Sequence, residues 1–343
     1  MNPPTLLALP LADLTRVVTA LGEQPFRARQ LWQWFYHRYE TDFDAMTDLS
    51  KPARALLRER FHPLLPELVR VEESRLDPSR KFLLRFPDGE SAEAVFMAHE
   101  DRTTLCLSTQ TGCALGCAFC LTGRRTGRNL TAAELVGQFL TLVKGMPAER
   151  INIVFMGMGE PLLNVEQLAA ALPFLNETVA PKRITVSTAG VLRGIAALGR
   201  VRPLPRLALS LNAGSDETRK RLMPVHTYTL RELFDAVLAY PRKPGERITL
   251  EYVLIKGVND TDAEMKGLFE LLKPHRRVFK VNLIPYNAVP GLPYEEPDEA
   301  RVDAVAGMLA ERGVTVTVRR SLGRDIRAAC GQLAAGPLAS GPP

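Results

Sequence analysis

Between residues 105 and 319 the chain alternates short apolar runs with longer amphipathic ones, and this alternation restricts the fold more than any other feature. The runs Leu105–Ser108, Ile151–Phe155, Ile184–Ser187, Leu207–Leu211, Ile248–Ile255, Phe279–Ile284 and Val314–Val318 are predicted as strands. They are short and rich in Leu, Ile and Val, as strands covered on both faces are. The intervening segments open with helix starts. Thr131-x-x-Glu134, Asn164-x-x-Gln167, Thr229-x-x-Glu232 and Thr261-x-x-Glu264 have capping-box spacing or one close to it. Repeated strand–helix units require a parallel sheet with right-handed crossovers. About six units are too few to close an eight-fold barrel. The predicted class is therefore α/β, an incomplete (βα)6 barrel.

Folds of this kind bind ligands at the carboxyl ends of their strands, and the unusual residues gather there. Met156-Gly157-Met158-Gly159-Glu160-Pro161 follows one predicted strand, and Ser187-Thr188 ends the next. Ser210-Leu211-Asn212 and Pro285-Tyr286-Asn287 close two others. Glycines let backbone approach a ligand closely, and the Glu160 carboxylate can accept from an ammonium group. Each of these is commonplace alone; their shared location marks a site.

Four of the five cysteines lie between Cys106 and Cys120, and the fifth is Cys330. So few cysteines in so long a chain do not form a disulfide framework. Cys113, Cys117 and Cys120 are spaced C-x3-C-x2-C with no His nearby. Structural zinc takes four ligands, usually as two separated pairs. Three thiolates on one short loop instead suit three irons of a cubane cluster, with the fourth iron open to a small chelating molecule. A partial zinc site and buried apolar cysteines are the competing readings.

The remainder divides by composition. Residues 1–62 read as a helical accessory module, with Leu31, Trp34 and Phe35 on one face and Arg27, Arg29, His37 and Arg38 beside it. Residues 63–104 read as a β-rich extension, with strands expected at Glu67–Glu72, Lys81–Phe86 and Ala92–Ala98, and at Thr103–Ser108 running into the thiol stretch. Residues 105–322 form the barrel, and 323–343 a C-terminal segment whose end, Gly331–Pro343, reads as a frayed tail. A net charge of +6 permits a nucleic-acid partner without requiring one. The runs Arg124, Arg125 and Arg128, then Arg219, Lys220 and Arg221, then Arg319, Arg320, Arg324 and Arg327 are candidate phosphate contacts. No run of 18 apolar residues and no signal-peptide layout is present, so a cytoplasmic protein without a membrane partner is expected.

The thiol loop Gly112–Cys120, together with Gly22-x-x-Pro25-Phe26-Arg27, Gly157–Leu162, Ser187-Thr188, Glu251-Tyr252-Val253, Asn282–Pro285 and the ending Asp325–Leu333, resembles the radical S-adenosylmethionine (SAM) superfamily. Within it, the chain is similar to the RlmN family of RNA adenine-C2 methyltransferases over nearly its whole length. The resemblance implies one [4Fe–4S] cluster held by Cys113, Cys117 and Cys120, with SAM on the open iron. It implies SAM contacts from Gly159, Glu160, Ser187, Ser210, Leu211, Asn212 and Asn287. A departure is Asn212, where some members carry His. It further implies that Cys330 carries a methyl group, that Glu93 is the proton acceptor, and that Cys106 resolves a covalent intermediate. In that scheme the first of two SAM molecules methylates Cys330, and a carbon radical made from that methyl adds to C2 of adenine. Loss of the C2 proton and attack by Cys106 on the Cys330 sulfur then release methylated RNA and leave a Cys106–Cys330 disulfide, which reductant reopens. The implied substrates are an adenosine in the peptidyl-transferase region of 23S rRNA and the adenosine just 3′ of the tRNA anticodon. An electron donor of the flavodoxin–reductase type and a monomeric state are also implied. The alternative within the same resemblance is the C8 adenine methyltransferase of 23S rRNA that confers antibiotic resistance.

Overall fold

The computed structural model describes residues 5–61, 65–144, 150–224, 228–289 and 291–335. Three helices come first: α1 (Leu11–Ala20), α2 (Arg27–Tyr36) and α3 (Lys51–Arg60). Helix α2 buries Leu31, Trp34, Phe35 and Tyr36, the face expected from their spacing. Ser50 caps α3 through the Ala53 N–H. Then come β1 (Glu67–Glu73), β2 (Ser79–Arg85), β3 (Ser91–Ala98) and β4 (Thr103–Cys106), a chain of antiparallel neighbours.

From β4 onward every pairing is parallel. The order runs α4 (Ala132–Val143), β5 (Ile151–Phe155), α5 (Val165–Asn176), β6 (Ile184–Thr188), α6 (Leu192–Leu198) and β7 (Arg206–Ser210). It continues with α7 (Asp216–Leu222), α8 (Leu230–Leu238), β8 (Ile248–Leu254), α9 (Asp262–Leu272), β9 (Phe279–Pro285), α10 (Glu299–Glu311) and β10 (Thr315–Val318). Seven parallel strands joined by six helical crossovers make the incomplete barrel, open between β4 and β10. The antiparallel strands form no separate layer. They continue the barrel sheet outward from β4 into one ten-stranded sheet in chain order.

Helix starts follow the sequence closely but not everywhere. Thr131 and Thr229 make full capping boxes with Glu134 and Glu232. Thr261 caps α9, but the Glu264 carboxylate turns away to Gly214 N, Ser215 Oγ and Thr218 Oγ1. Asn164 caps nothing. Its side-chain amide donates to the carbonyls of Thr109 and Leu130 and so braces the loop that precedes α4.

One apolar core runs from the N-terminal helices through the sheet to the barrel helices. A second, smaller cluster sits at the carboxyl ends of the strands. It joins Leu115, Phe119 and Leu121 to Ala189, Leu222, Met223, Ile255 and Tyr286, and the three loop cysteines pack against it. The short C-terminal segment departs from the frayed-tail expectation over 331–335. Leu121 N donates to Gly331 O at 2.8 Å, Thr122 Oγ1 to Leu333 O at 2.7 Å and Arg125 to Ala335 O at 3.0 Å. Unpaired carbonyls of an irregular segment need such donors once covered. The rest of that tail, 336–343, lies outside the described residues.

Candidate active site

The thiol loop leaves β4 and is fastened from both sides. Cys113 N donates to Arg125 O at 2.9 Å, and Ala118 N to Leu222 O at 2.9 Å. The strand-end turn after β5 is fitted against it with no room to spare. A Cβ on Gly157 would lie 2.6 Å from Ser108 Oγ. One on Gly159, whose φ is +98°, would lie 2.5 Å from Gln110 Cβ. Only glycine satisfies both the left-handed backbone and the close approach.

A cavity opens over these turns. It is lined by Cys113, Cys117, Cys120, Gly159, Glu160, Ser187, Ser210, Asn212, Glu251 and Cys330, with Met156 and Gly157 on its floor. Residues separated by more than two hundred positions therefore face one space. Leu211 and Asn287 are not among the lining residues. Leu211 is wholly buried, and Asn287 donates to Ser321 Oγ at 2.9 Å beside a neighbouring hollow. A cavity of about 770 Å³ elsewhere is lined by residues around Ser79, Phe96 and Arg102 and by no cysteine.

A second hollow shares Cys120, Thr122, Met156, Gly157, Cys330 and Gly331 with the first and adds Cys106, Met97 and Arg319. Cys330 thus stands between the loop thiols and Cys106. Both outlying cysteines are free thiols. Burial pushes the Cys106 thiol up to about 12, with the nearby Cys330 adding to the shift and Arg319 opposing it. Burial also raises Cys330, again opposed by Arg319. The Arg319 guanidinium, despite burial, keeps a firm charge because Cys330, Glu251 and Cys106 surround it.

Glu160 is buried, which raises its pKa, but it is well supported. Ala189 N donates to Oε2 at 2.8 Å, while Thr188 Oγ1 and Leu162 N donate to Oε1 at 2.6 and 3.0 Å. A carboxylate offers about four acceptor positions, so one remains for a ligand ammonium. The Ser187 and Ser210 hydroxyls lie 3.2 Å apart on adjacent strand ends. Asn212 has a left-handed backbone, φ +58°, a conformation Asn tolerates better than most residues. Its Oδ1 accepts from Val253 N at 2.9 Å and so ties β7 to β8. Glu93, on β3, is 3% exposed. Its Oε2 accepts from Ala334 N at 2.9 Å, beside the Cys330 segment.

The donor set fits an iron–sulfur cluster. The loop offers three thiols and no His, fewer than the four ligands a structural zinc takes. Its thiols spread around an apolar-walled cavity. Burial pushes Cys113 up to about 11 and Cys117 well above its ordinary value. Thiols so placed ionise when a cationic centre compensates them.

Two side chains assigned to a polyanion surface by sequence do other work. Arg219 is 2% exposed and clamps three strand-end carbonyls, donating to Ser210 O at 3.1 Å and to the oxygens of Leu211 and Ala189. Its burial, which lowers its pKa to about 10, is partly compensated by Cys117 and Glu160. Arg319 is the half-buried cation beside the two outlying thiols. Arg128 bridges Asp88 and Glu134, Arg320 pairs with Glu299 and Arg324 with Glu296, whereas Arg124, Lys220 and Arg221 are exposed. Glu251 and Arg319 are the site residues that sequence reasoning missed as such. Their signal was a charged residue in or just after an apolar strand, which burial makes costly unless partnered.

An open parallel barrel with a three-thiol loop after its first strand is the architecture of the radical SAM superfamily, and residues 107–269 match that family model. Residues 5–62 match the model described as ribosomal RNA large subunit methyltransferase N-terminal domain. The chain is 47% identical over 341 residues to the dual-specificity RNA methyltransferase RlmN of Solidesulfovibrio magneticus, covering 96% of each chain. It is 44% identical over 347 residues to that of Rhodospirillum rubrum, covering 96% of this chain and 80% of that one. A radical SAM methyltransferase from Sphaerobacter thermophilus superposes with a TM-score of 0.92 at 41% identity, covering 97% of this chain and all of that one. The chain belongs to the RlmN family.

Proposed function

We propose that this protein is a dual-specificity RNA methyltransferase that methylates C2 of adenosine in 23S rRNA, at the peptidyl-transferase region, and in tRNA, at the position 3′ of the anticodon. The observation that carries this reading is the grouping of Cys330 with the thiol loop on one side and Cys106 on the other. A methyltransferase acting on a nucleophilic atom would need neither outlying thiol. Carbon C2 of adenine lies between two ring nitrogens and does not attack a sulfonium methyl, so a protein sulfur must first carry the carbon.

Cys113, Cys117 and Cys120 would hold the [4Fe–4S] cluster, and Glu160, Ser187 and Ser210 would hold SAM. When bound, that pair supplies methyl groups and a hydrogen-abstracting carbon radical. Cys330 accepts the methyl on sulfur, a displacement that needs the thiolate. Arg319, charged and half-buried beside it, favours that thiolate. Glu93 removes the C2 proton once the base is joined to the Cys330 carbon. The unpaired electron of that adduct would return to the bound cluster. The Cys106 thiolate then attacks the Cys330 sulfur, and the S–CH2 bond breaks. Its electron pair leaves with the carbon, which takes up a proton and departs as the methyl of the RNA. Two electrons from a reductant of the flavodoxin class reopen the resulting disulfide. The apolar wall from Leu115 to Tyr286 excludes water from this space. The target base must leave its stack to reach it. Among the described residues no helix is long and apolar enough to cross a membrane.

Modified-nucleoside analysis of separated rRNA and tRNA, with and without the gene, tests the reading. Loss of 2-methyladenosine from both RNAs is expected. Unchanged 2-methyladenosine, or loss of 8-methyladenosine instead, would overturn it.

A further inference from the structure

The Glu93 carboxylate ends a line of buried charge that the roles above leave unused. Across the extension, Glu72 of β1 pairs directly with Lys81 of β2, and Leu83 of β2 pairs with Glu93 of β3. Side chains two apart share a face, so Glu72, Lys81 and Glu93 stand on one side of the sheet. Lys81 Nζ lies 2.8 Å from Glu72 Oε2 and 3.3 Å from Glu93 Oε1. The Lys81 and Glu93 side chains are 8% and 4% exposed, whereas Glu72 is 29% exposed. A buried lysine is rare and costly unless paired.

The two oxygens of Glu93 are used differently. Oε1 faces the ammonium, and Oε2 accepts the Ala334 N–H of the C-terminal segment. The ammonium is anchored inside the sheet, while the amide belongs to a short irregular strap. A general base must be ionised at working pH and must aim one oxygen at the proton it removes.

We infer that Lys81 is a positioning residue for Glu93: it supplies the counter-charge to this carboxylate and occupies Oε1, leaving Oε2 to the substrate when Ala334 gives it up. The inference rests on the function proposed above and deepens it. The charged groups around this carboxylate are Lys81 from β2 and, behind it, Glu72 from β1 with Arg70 at 3.0 Å from Glu72. On the strap side Arg125 is held by Glu90 and Ala335 O. Among the described residues, the partners of the Glu93 backbone include neutral groups, Ser108 Oγ on its carbonyl and Met158 Sδ near its N–H.

The sign of the effect follows. An ammonium beside a carboxylate favours the ionised form, and burial without it favours the neutral acid. Lys81→Met leaves the buried carboxylate without its counter-charge, so proton removal is expected to slow at neutral pH and to recover as pH rises. Glu72→Gln removes a negative neighbour and acts in the opposite direction.

The test uses anaerobically reconstituted holoenzyme, methylated on Cys330, in single turnover with an RNA stem-loop from neutral to alkaline pH. The covalent protein–RNA adduct is followed on denaturing gels and 2-methyladenosine by mass spectrometry. For Lys81→Met, adduct formation is expected at the wild-type rate. Its release is expected to slow about tenfold or more at neutral pH, a shift of one unit or more in the rising limb of the profile. Lys81→Arg should restore release, Glu72→Gln should move the limb to lower pH, and Glu93→Gln should accumulate adduct at every pH. A Lys81→Met profile superimposed on the wild type, or a Lys81→Arg protein no better than Lys81→Met, would overturn the inference. So would equal loss of adduct formation and release at all pH values, which assigns Lys81 to folding alone. Should Lys81→Met fail to fold, an unmoved limb in Glu72→Gln overturns it equally. Wild-type enzyme that forms neither adduct nor 2-methyladenosine would instead overturn the proposed function.

Discussion

At the residue scale, the five cysteines divide by their surroundings rather than their chemistry. Three share a loop against an apolar wall, and two flank Arg319. Replacing Cys117 by Ala removes a ligand from the loop alone, so anaerobically prepared protein should lose its bound iron and sulfide while Cys330 stays reactive to alkylation. Retention of full iron would assign the cluster elsewhere. In the proposed reaction Cys106→Ala should accumulate the protein–RNA adduct, and Cys330→Ala should form none. Normal turnover by Cys106→Ala would remove Cys106 from the reaction. Arg219 is the residue whose placement reverses its sequence reading. Its guanidinium ties the ends of β6 and β7 through three carbonyls. Arg219→Met leaves those buried carbonyls without donors, each costing on the order of 1 kcal/mol or more. A fall in thermal stability is expected even in the protein without cofactor.

At the element scale, α4 illustrates how the loop ending and the helix start are coupled. Thr131 and Glu134 close the capping box, and Glu134 also receives Arg128, which reaches Asp88 in the β2–β3 turn. The Arg128 hydrogen bond, chiefly, holds the Asp88 carboxyl below its ordinary value of 3.8. A lowered folded-state pKa gives stability that is fully present above that value and lost as pH falls through the folded one. Asp88 is largely exposed, so solvent screening limits the effect to less than about 1 kcal/mol. Asp88→Asn should therefore lower stability by less than about 1 kcal/mol at neutral pH, and the difference from wild type should vanish as pH falls below about 4, which flattens the acid limb of the stability–pH curve. The C-terminal strap behaves as an element too, although it has no regular structure. Its hydrogen bonds to Leu121, Thr122, Arg125 and Glu93 keep Cys330 at the cavity.

At the scale of the whole molecule, the N-terminal helices are built into the barrel. Trp32 and Tyr36 of α2 stack on Phe174 of α5 with ring centroids 5.5 and 5.4 Å apart. Thr178 Oγ1 donates to Tyr36 O at 2.9 Å. Phe174→Ala opens a cavity at that junction, and a loss of about 3 kcal/mol is expected. Limited proteolysis should then release the first helices while the remainder keeps its cofactors. The single sheet from β1 to β10 has a related consequence. Glu93 stands on the antiparallel extension, yet β3 pairs with β4, the strand that carries Cys106 and leads into the thiol loop. Glu93 and Cys106 are thus held by neighbouring strands.

Local pattern was enough for much of this. Strand–helix alternation predicted the parallel barrel because burial on both faces writes itself into short apolar runs. The capping residues marked helix starts because an orphan N–H needs a side-chain oxygen nearby in sequence. The C-x3-C-x2-C loop was legible because its three thiols lie within a few residues of one another in the chain. Pairings across the fold were not legible from that pattern. The extension's merger with the barrel depends on which strand edge β3 meets, and no periodicity encodes that choice. The same holds for the approach of Cys330 to Cys106 and of Ala334 to Glu93. Arg219 and Arg319 read as surface charges because composition carries no burial. Only the tertiary structure places them against carbonyls and thiols, where losing water makes their charge count.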